Sequence, residues 1–275
     1  MQASVKWSPP GGVLGTLLAR ARERAATLRA DAGRLAPMAS TGIGRRPSFG
    51  AALRHGSDVR LIAEIKRRSP SGGVIALGLG AAAQASAYRD GGAAAISVLT
   101  EPTEFGGTVE DLDAAEPLGL PLLRKDFIVD AVQIQEAAAH GASAVLLIAR
   151  ALPPDALAEL HVRASVIGLE CLVEVHTEEE LAMAIGGGYP VIGVNNRNLE
   201  TLDVDQAVTG RLIPEIPSRV VAVYESGIRT RDDVERAAAL GADAVLVGSA
   251  LSASLDPVGA VRALCGVARR GRRAS

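Results

Sequence analysis

The chain has 275 residues, of which 48% are hydrophobic and 22% charged, a composition that suits a globular protein with a sizeable core, in one large or two smaller domains. Its 29 basic and 31 acidic residues give a formal net charge of -2, and aromatic residues make up 3%, so neither a basic nucleic-acid footprint nor a stacking platform is expected. The 2 cysteines, Cys171 and Cys265, and the 4 scattered histidines form no disulfide framework and no metal-ligand spacing; they fit a reducing, cytoplasmic setting, and no apolar run reaches the length of a membrane span.

In chain order, the start MQASVKWSPPGG lacks the basic start and apolar block of a secretory signal. In residues 13–30, Val13, Leu14, Leu17, Leu18, Ala21, Ala25 and Leu28 recur at helical spacing, with arginines between them. This predicts an amphipathic helix packed on the rest of the protein; an Arg-rich targeting segment is the alternative. The first strand signal is LIAEIK (61–66), and it carries two opposite charges, Glu64 and Lys66, on one face. Burying either without a partner would cost on the order of several kcal/mol.

Seven more strand signals follow: GGAAAISVLT (91–100), LPLLRKDF (120–127), HGASAVLLIA (140–149), LECLVEV (169–175), GGYPVIGVNN (187–196), RVVAVYES (219–226) and LGADAVLVGS (240–249). Helical patterns such as DAVQIQEAAAHG and TRDDVERAAALG lie between them, and glycine stands where these helices should end. Alternating βα units imply parallel strands joined by right-handed crossovers. Eight units predict a closed (β/α)8 TIM barrel over residues 61–275. Residues 1–60 would be an N-terminal helical extension of the same single domain. A doubly wound open sheet is the competitor, but no strand is followed by G-x-G-x-x-G.

In such a barrel the active site lies at the C-terminal ends of the strands, and the charges fall there. Strand one ends with Glu64 and Lys66, strand three with Arg124, Lys125 and Asp126, and strand five with Glu174 and His176. Strand six runs into Asn195, Asn196 and Arg197, and strand seven ends with Glu225 and Ser226. A single charge at a strand end is ordinary loop solvation, whereas five strands converging both signs on one mouth point to acid–base chemistry. After strands seven and eight, ESGI and VGSAL place Gly227 and Gly248 beside Ser226 and Ser249. These are the loops that bind phosphate in many such barrels; ordinary tight turns are the alternative. Together the features suggest an enzyme acting on a phosphorylated small molecule, with no nucleic-acid or membrane partner.

As a set and in this order, AEIKRRSPSGG, SVLTEPTEFGG, LLRKDFIVD, LVEVH, GVNNRNLETLDVD, ESGI and VGSAL resemble the indole-3-glycerol phosphate synthase family of tryptophan biosynthesis, from about Leu61 to Pro257. The resemblance implies a carboxy-lyase that needs no cofactor or metal. Such an enzyme converts 1-(2-carboxyphenylamino)-1-deoxyribulose 5-phosphate to indole-3-glycerol phosphate by ring closure, decarboxylation and dehydration. Carried over by motif, Lys125 is the general acid for ring closure and Glu174 the base for dehydration. Lys66 is a second acid or the holder of the substrate carboxylate, and Glu64 orients the lysines. Which lysine acts in which step stays open. Asn195 and Arg197 surround the anthranilate end, Ser226 is a further substrate contact, and Phe105, Phe127 and Leu199 form the apolar wall for the ring. Ser69, Gly227, Gly248 and Ser249 bind the phosphate, with Lys66 or Arg68 adding charge. A sibling barrel, phosphoribosylanthranilate isomerase, carries a cysteine base where this chain has Glu64 and Lys66. Cys171 lies early in strand five and reads as core. A catalytically dead phosphosugar-binding barrel is the rival of another class, but Lys66, Lys125 and Glu174 are all present.

Overall fold

The amphipathic stretch near the N-terminus folds as α1 (Gly12–Leu28), and its apolar stripe of Leu14, Leu17, Leu18, Ala21 and Ala25 is buried. After it come α2 (Ala32–Thr41) and the short α3 (Phe49–Arg54), which Ser48 caps by accepting from the Ala51 N–H. In the computed structural model, which describes residues 7–69, 73–74 and 79–272 (at 69, 73 and 74 the backbone alone), this segment holds the barrel at both ends. Below, Ser48 Oγ (2.7 Å) and the Gly50 N–H (2.9 Å) donate to the Glu170 carboxylate at the start of strand five. Above, Trp7 Nε1 donates to the Arg150 carbonyl at 3.2 Å, and the Val13 N–H donates to the Glu200 carbonyl at 3.2 Å. Arg150 Nε closes this strap on Glu200 Oε1 at 2.7 Å.

Eight strands then follow: β1 (Arg60–Ile65), β2 (Ala95–Leu99), β3 (Leu122–Lys125), β4 (Ala144–Ile148), β5 (Glu170–Val175), β6 (Val191–Asn195), β7 (Val221–Glu225) and β8 (Ala244–Val247). Each pairs in parallel with the next, and β8 pairs back onto β1 to close the barrel. Their residues are almost all buried, as strands covered on both faces must be, and closure pairs both edges of each barrel strand. A two-stranded antiparallel ladder, Arg68–Ser69 with Gly73–Val74, stands in the loop after β1.

The strands are joined by α4 (Ala81–Gly91), α5 (Glu110–Ala115), α6 (Ala131–Ala139), α7 (Pro154–Val166), α8 (Glu178–Gly186), α9 (Ala207–Leu212) and α10 (Arg231–Leu240). The single turn α11 (Ser249–Ser252) and α12 (Pro257–Leu264) follow β8. The glycine-led sequence runs begin before their strands because the glycine ends the preceding helix. Gly92 and Gly241 are left-handed caps at φ 103 and 92, a conformation that costs glycine little. At the opposite ends, capping boxes start α6 (Asp130 with Gln133) and α10 (Thr230 with Asp233). These satisfy the first N–H groups of each helix and fix the loops after β3 and β7, which carry site residues.

Candidate active site

The C-terminal mouth of the barrel opens into a cavity of about 550 Å³. Alternation along β1 turns Glu64 and Lys66 inward together, and Lys66 Nζ lies 3.3 Å from Glu64 Oε1. Lys125, from the end of β3, reaches the axis. Its Nζ is 3.9 Å from Glu64 Oε2, 3.9 Å from Glu174 Oε2 and 3.8 Å from Glu225 Oε2. Two ammonium groups therefore face three carboxylates, and the opposite charges on β1 have the partners that burial requires.

Burial alone would lower the Lys125 pKa, but the surrounding charges of Glu64, Glu174 and Glu225 outweigh it and hold the group above the ordinary lysine range, with Arg197 opposing. For Glu225 the balance falls the other way. Burial, and then the nearby Glu174 charge, push its carboxyl well above the ordinary glutamate range, although Lys125 pulls it down. Neither Glu225 oxygen has a hydrogen-bond partner among the described residues. The third carboxylate is thus the one the site favours as a neutral acid. It was not among the residues carried over by motif, although it stands as the one acidic residue closing the apolar run of β7.

Two glycines make room for these carboxylates. A Cβ on Gly248 would collide with Glu64 Oε1, and one on Gly193 would collide with Glu225 Oε1. Gly248 thus has a packing task that the phosphate expectation did not include.

Asn195 and Arg197 follow β6. Asn195 Oδ1 accepts from the Arg197 N–H at 2.9 Å and from Ser226 Oγ at 2.8 Å, while its carbonyl lies 2.6 Å from His176 Nδ1. The Ser226 hydroxyl is therefore engaged in holding Asn195. Ser226 takes a left-handed backbone (φ 66), as does Gly227 (φ 91); for serine this is a strained conformation of the kind found at functional sites. Phe105, Phe127 and Leu199 line the cavity, and Leu99, Leu146, Ile148 and Leu246 extend its apolar wall. Gly227, Gly248 and Ser249 line it as well. The helix there, α11, is one turn long, so individual N–H groups rather than a long helix dipole face this part of the cavity.

Apart from Arg68, every motif-matched residue whose side chain is described lines this one cavity: Glu64, Lys66, Phe105, Lys125, Phe127, Glu174, Asn195, Arg197, Leu199, Ser226, Gly227, Gly248 and Ser249. For Ser69 only the backbone is described, and its side chain lies outside the described residues. Expectations change for four residues. His176 lies against the Asn195 carbonyl and Asn196 is wholly buried, and neither lines this cavity. Arg124 does not join the mouth: it faces outward, donating to Asp126 Oδ2 at 3.2 Å and the Gln133 carbonyl at 2.8 Å, and it pairs with Glu136 at 2.7 Å. Strand alternation separates it from Lys125. Arg68 is exposed and does not line the cavity. Cys171 is buried in β5, and burial pushes its thiol up to about 12, as befits an inert core cysteine.

A sequence model of the family described as indole-3-glycerol phosphate synthase matches residues 17–264. The indole-3-glycerol phosphate synthase 1 of Streptomyces coelicolor is 51% identical over 213 residues, which cover 77% of this chain and 79% of that protein. The indole-3-glycerol phosphate synthase of Rhodococcus opacus is 52% identical over 204 residues, covering 74% of this chain and 76% of that one. Among solved structures, 3-hexulose-6-phosphate synthase from Salmonella typhimurium superposes with a TM-score of 0.58 at 18% identity, over 75% of this chain and 96% of that chain. At that identity the likeness concerns the fold alone.

Proposed function

This chain belongs to the indole-3-glycerol phosphate synthase family, and from that premise we propose what each residue of its cavity does. The protein is an indole-3-glycerol phosphate synthase, a carboxy-lyase of tryptophan biosynthesis. It closes the ring of 1-(2-carboxyphenylamino)-1-deoxyribulose 5-phosphate, then decarboxylates and dehydrates it to indole-3-glycerol phosphate.

Lys125 is the general acid of ring closure. The aromatic carbon bearing the carboxylate attacks the ribulose carbonyl, and negative charge grows on the carbonyl oxygen. An ammonium held cationic by the Glu64 and Glu174 carboxylates is preorganised to meet that charge and to pass its proton as the carbon–carbon bond forms. Loss of carbon dioxide returns the electron pair to the ring. In dehydration, Glu174 takes the proton while Lys66 supplies one to the departing hydroxyl, or holds the substrate carboxylate before it leaves. Glu64, which touches both lysines, fixes their separation. Glu225, favoured as a neutral acid, donates a hydrogen bond to the reacting end without adding charge.

Phe105, Phe127 and Leu199 sandwich the anthranilate ring, while Asn195 and Arg197, set by Ser226, face its polar end. The backbone N–H groups of Gly227, Gly248 and Ser249, with Ser69, receive the phosphate. The segment before Arg60 works with the barrel as one unit, and the enzyme acts in the cytoplasm. No helix among the described residues is long and apolar enough to cross a membrane.

The observation that carries this assignment is the central ammonium, with one carboxylate within 4 Å from each of β1, β5 and β7. The test is to mix purified protein with the carboxyphenylamino-deoxyribulose phosphate in buffer without added metal and to follow indole fluorescence. Product should form in the wild type, and Glu174→Gln should lose most of it. Folded wild-type protein that makes no product would end the proposal.

A further inference from the structure

Phe105 and Phe127 stand on the loops after neighbouring strands β2 and β3, and each loop is folded around a buried carboxylate. Glu101, 0% exposed, accepts the N–H groups of Thr103 (3.1 Å), Glu104 (2.7 Å) and Phe105 (3.2 Å). Asp126, 3% exposed, accepts the Phe127 N–H at 2.8 Å on Oδ1 and the Thr100 hydroxyl at 2.9 Å on Oδ2.

One guanidinium from α1 joins the two. Arg24 Nη1 donates to Glu101 Oε1 at 3.1 Å, and Nη2 donates to Asp126 Oδ1 at 2.8 Å. One turn earlier, Arg20 pairs with Glu104 at 2.7 Å. Asp126 has a second cation in Arg124; among the described residues Arg24 is the one cation paired with Glu101. Arg24 does not line the cavity. Its planar, forked donors hold two carboxylates at a fixed spacing, which a lysine ammonium does not reproduce.

We propose that Arg24 is a positioning residue for the aromatic end of the substrate: by clamping Glu101 and Asp126 it sets the placement of Phe105 and Phe127, and through them ring binding. This rests on the assignment of the two phenylalanines as the ring wall. The N-terminal helix thereby contributes to substrate affinity across two loops, without touching the substrate.

The test is steady-state kinetics on the full chain with Arg24→Met, Arg24→Lys, Phe105→Ala and the double variant Arg24→Met/Phe105→Ala. Misplacement of the ring should raise KM by about tenfold in Arg24→Met, with kcat moving by less than about threefold. Arg24→Lys, keeping the charge but not the fork, should fall between it and wild type. Because Arg24 acts partly through Phe105 and partly through Phe127, the double variant should be worse than Phe105→Ala alone by clearly less than the full Arg24→Met factor. Unchanged KM in folded Arg24→Met overturns the proposal, as does full additivity in the double variant. If Arg24→Met fails to fold, Arg24→Lys decides, and wild-type KM there overturns it. A Phe105→Ala variant with wild-type KM removes the ring-wall assignment and this proposal with it. A raised KM in Phe105→Ala with wild-type KM in both Arg24 variants removes Arg24's role alone.

Discussion

Gly248 leaves the space that the Glu64 carboxylate fills: a Cβ at 248 would collide with Glu64 Oε1. β1 and β8 are neighbours in the closed sheet, so the end of one strand decides where the charge of the other can stand. Gly248→Ala should push Glu64 off Lys66 and Lys125. The expected result is a fall in kcat of about 100-fold, since displacements near 1 Å at a catalytic group cost this much. The check is kcat alongside a thermal melt. A folded variant with wild-type kcat would contradict the packing account.

Glu225 yields a pH prediction. Its carboxyl is raised above the ordinary value of 4.5, by burial first and then by Glu174. The folded protein therefore holds this proton more tightly than the unfolded chain does. The resulting stabilisation is complete below the unfolded value and is lost as pH rises through the folded one. Glu225→Gln, neutral at every pH, does not lose it. Its Tm relative to wild type should climb as pH rises from the ordinary value of 4.5 through the folded one. A difference that stays flat across that range would contradict the assignment.

Ser226 positions Asn195 through its hydroxyl, 2.8 Å from Oδ1. Ser226→Ala should cost about 1 kcal/mol of stability for the lost hydrogen bond. Ser226→Gly loses the same bond but relieves the left-handed backbone. It should melt above Ser226→Ala, with kcat/KM reduced in both. The order of the two melting temperatures checks this, and the reverse order would contradict it.

The barrel was legible because its signals are local. Apolar runs of strand length and glycine-capped helices each need only a few neighbouring residues, and their repetition forces closure. The Glu64–Lys66 pair was legible too, since alternation places both on one face. Alternation also holds the correction for Arg124, which must face opposite to Lys125 once the latter points inward. Glu225 was harder. A lone acid ending an apolar strand reads like many others, and its meaning comes from Lys125 and Glu174, brought beside it only by closure. The Arg24 clamp lay furthest from view. It joins residues 77 and 102 positions apart, and the arginines of an amphipathic helix look alike until the loops they meet are folded. The loops after β7 and β8 were legible as Gly–Ser pairs, but nothing in ESGI indicates that the serine hydroxyl turns to Asn195.

The proposed mechanism turns on the Lys125 ammonium as the proton donor for ring closure. Lys125→Met keeps roughly the volume of the side chain and removes the charge. The direct measurement is single-turnover formation of indole fluorescence at saturating enzyme, with substrate affinity measured separately by equilibrium binding. The rate should fall by about 100- to 10,000-fold, the usual worth of a positioned general acid, with substrate still bound. Turnover by folded Lys125→Met at the wild-type rate would contradict it.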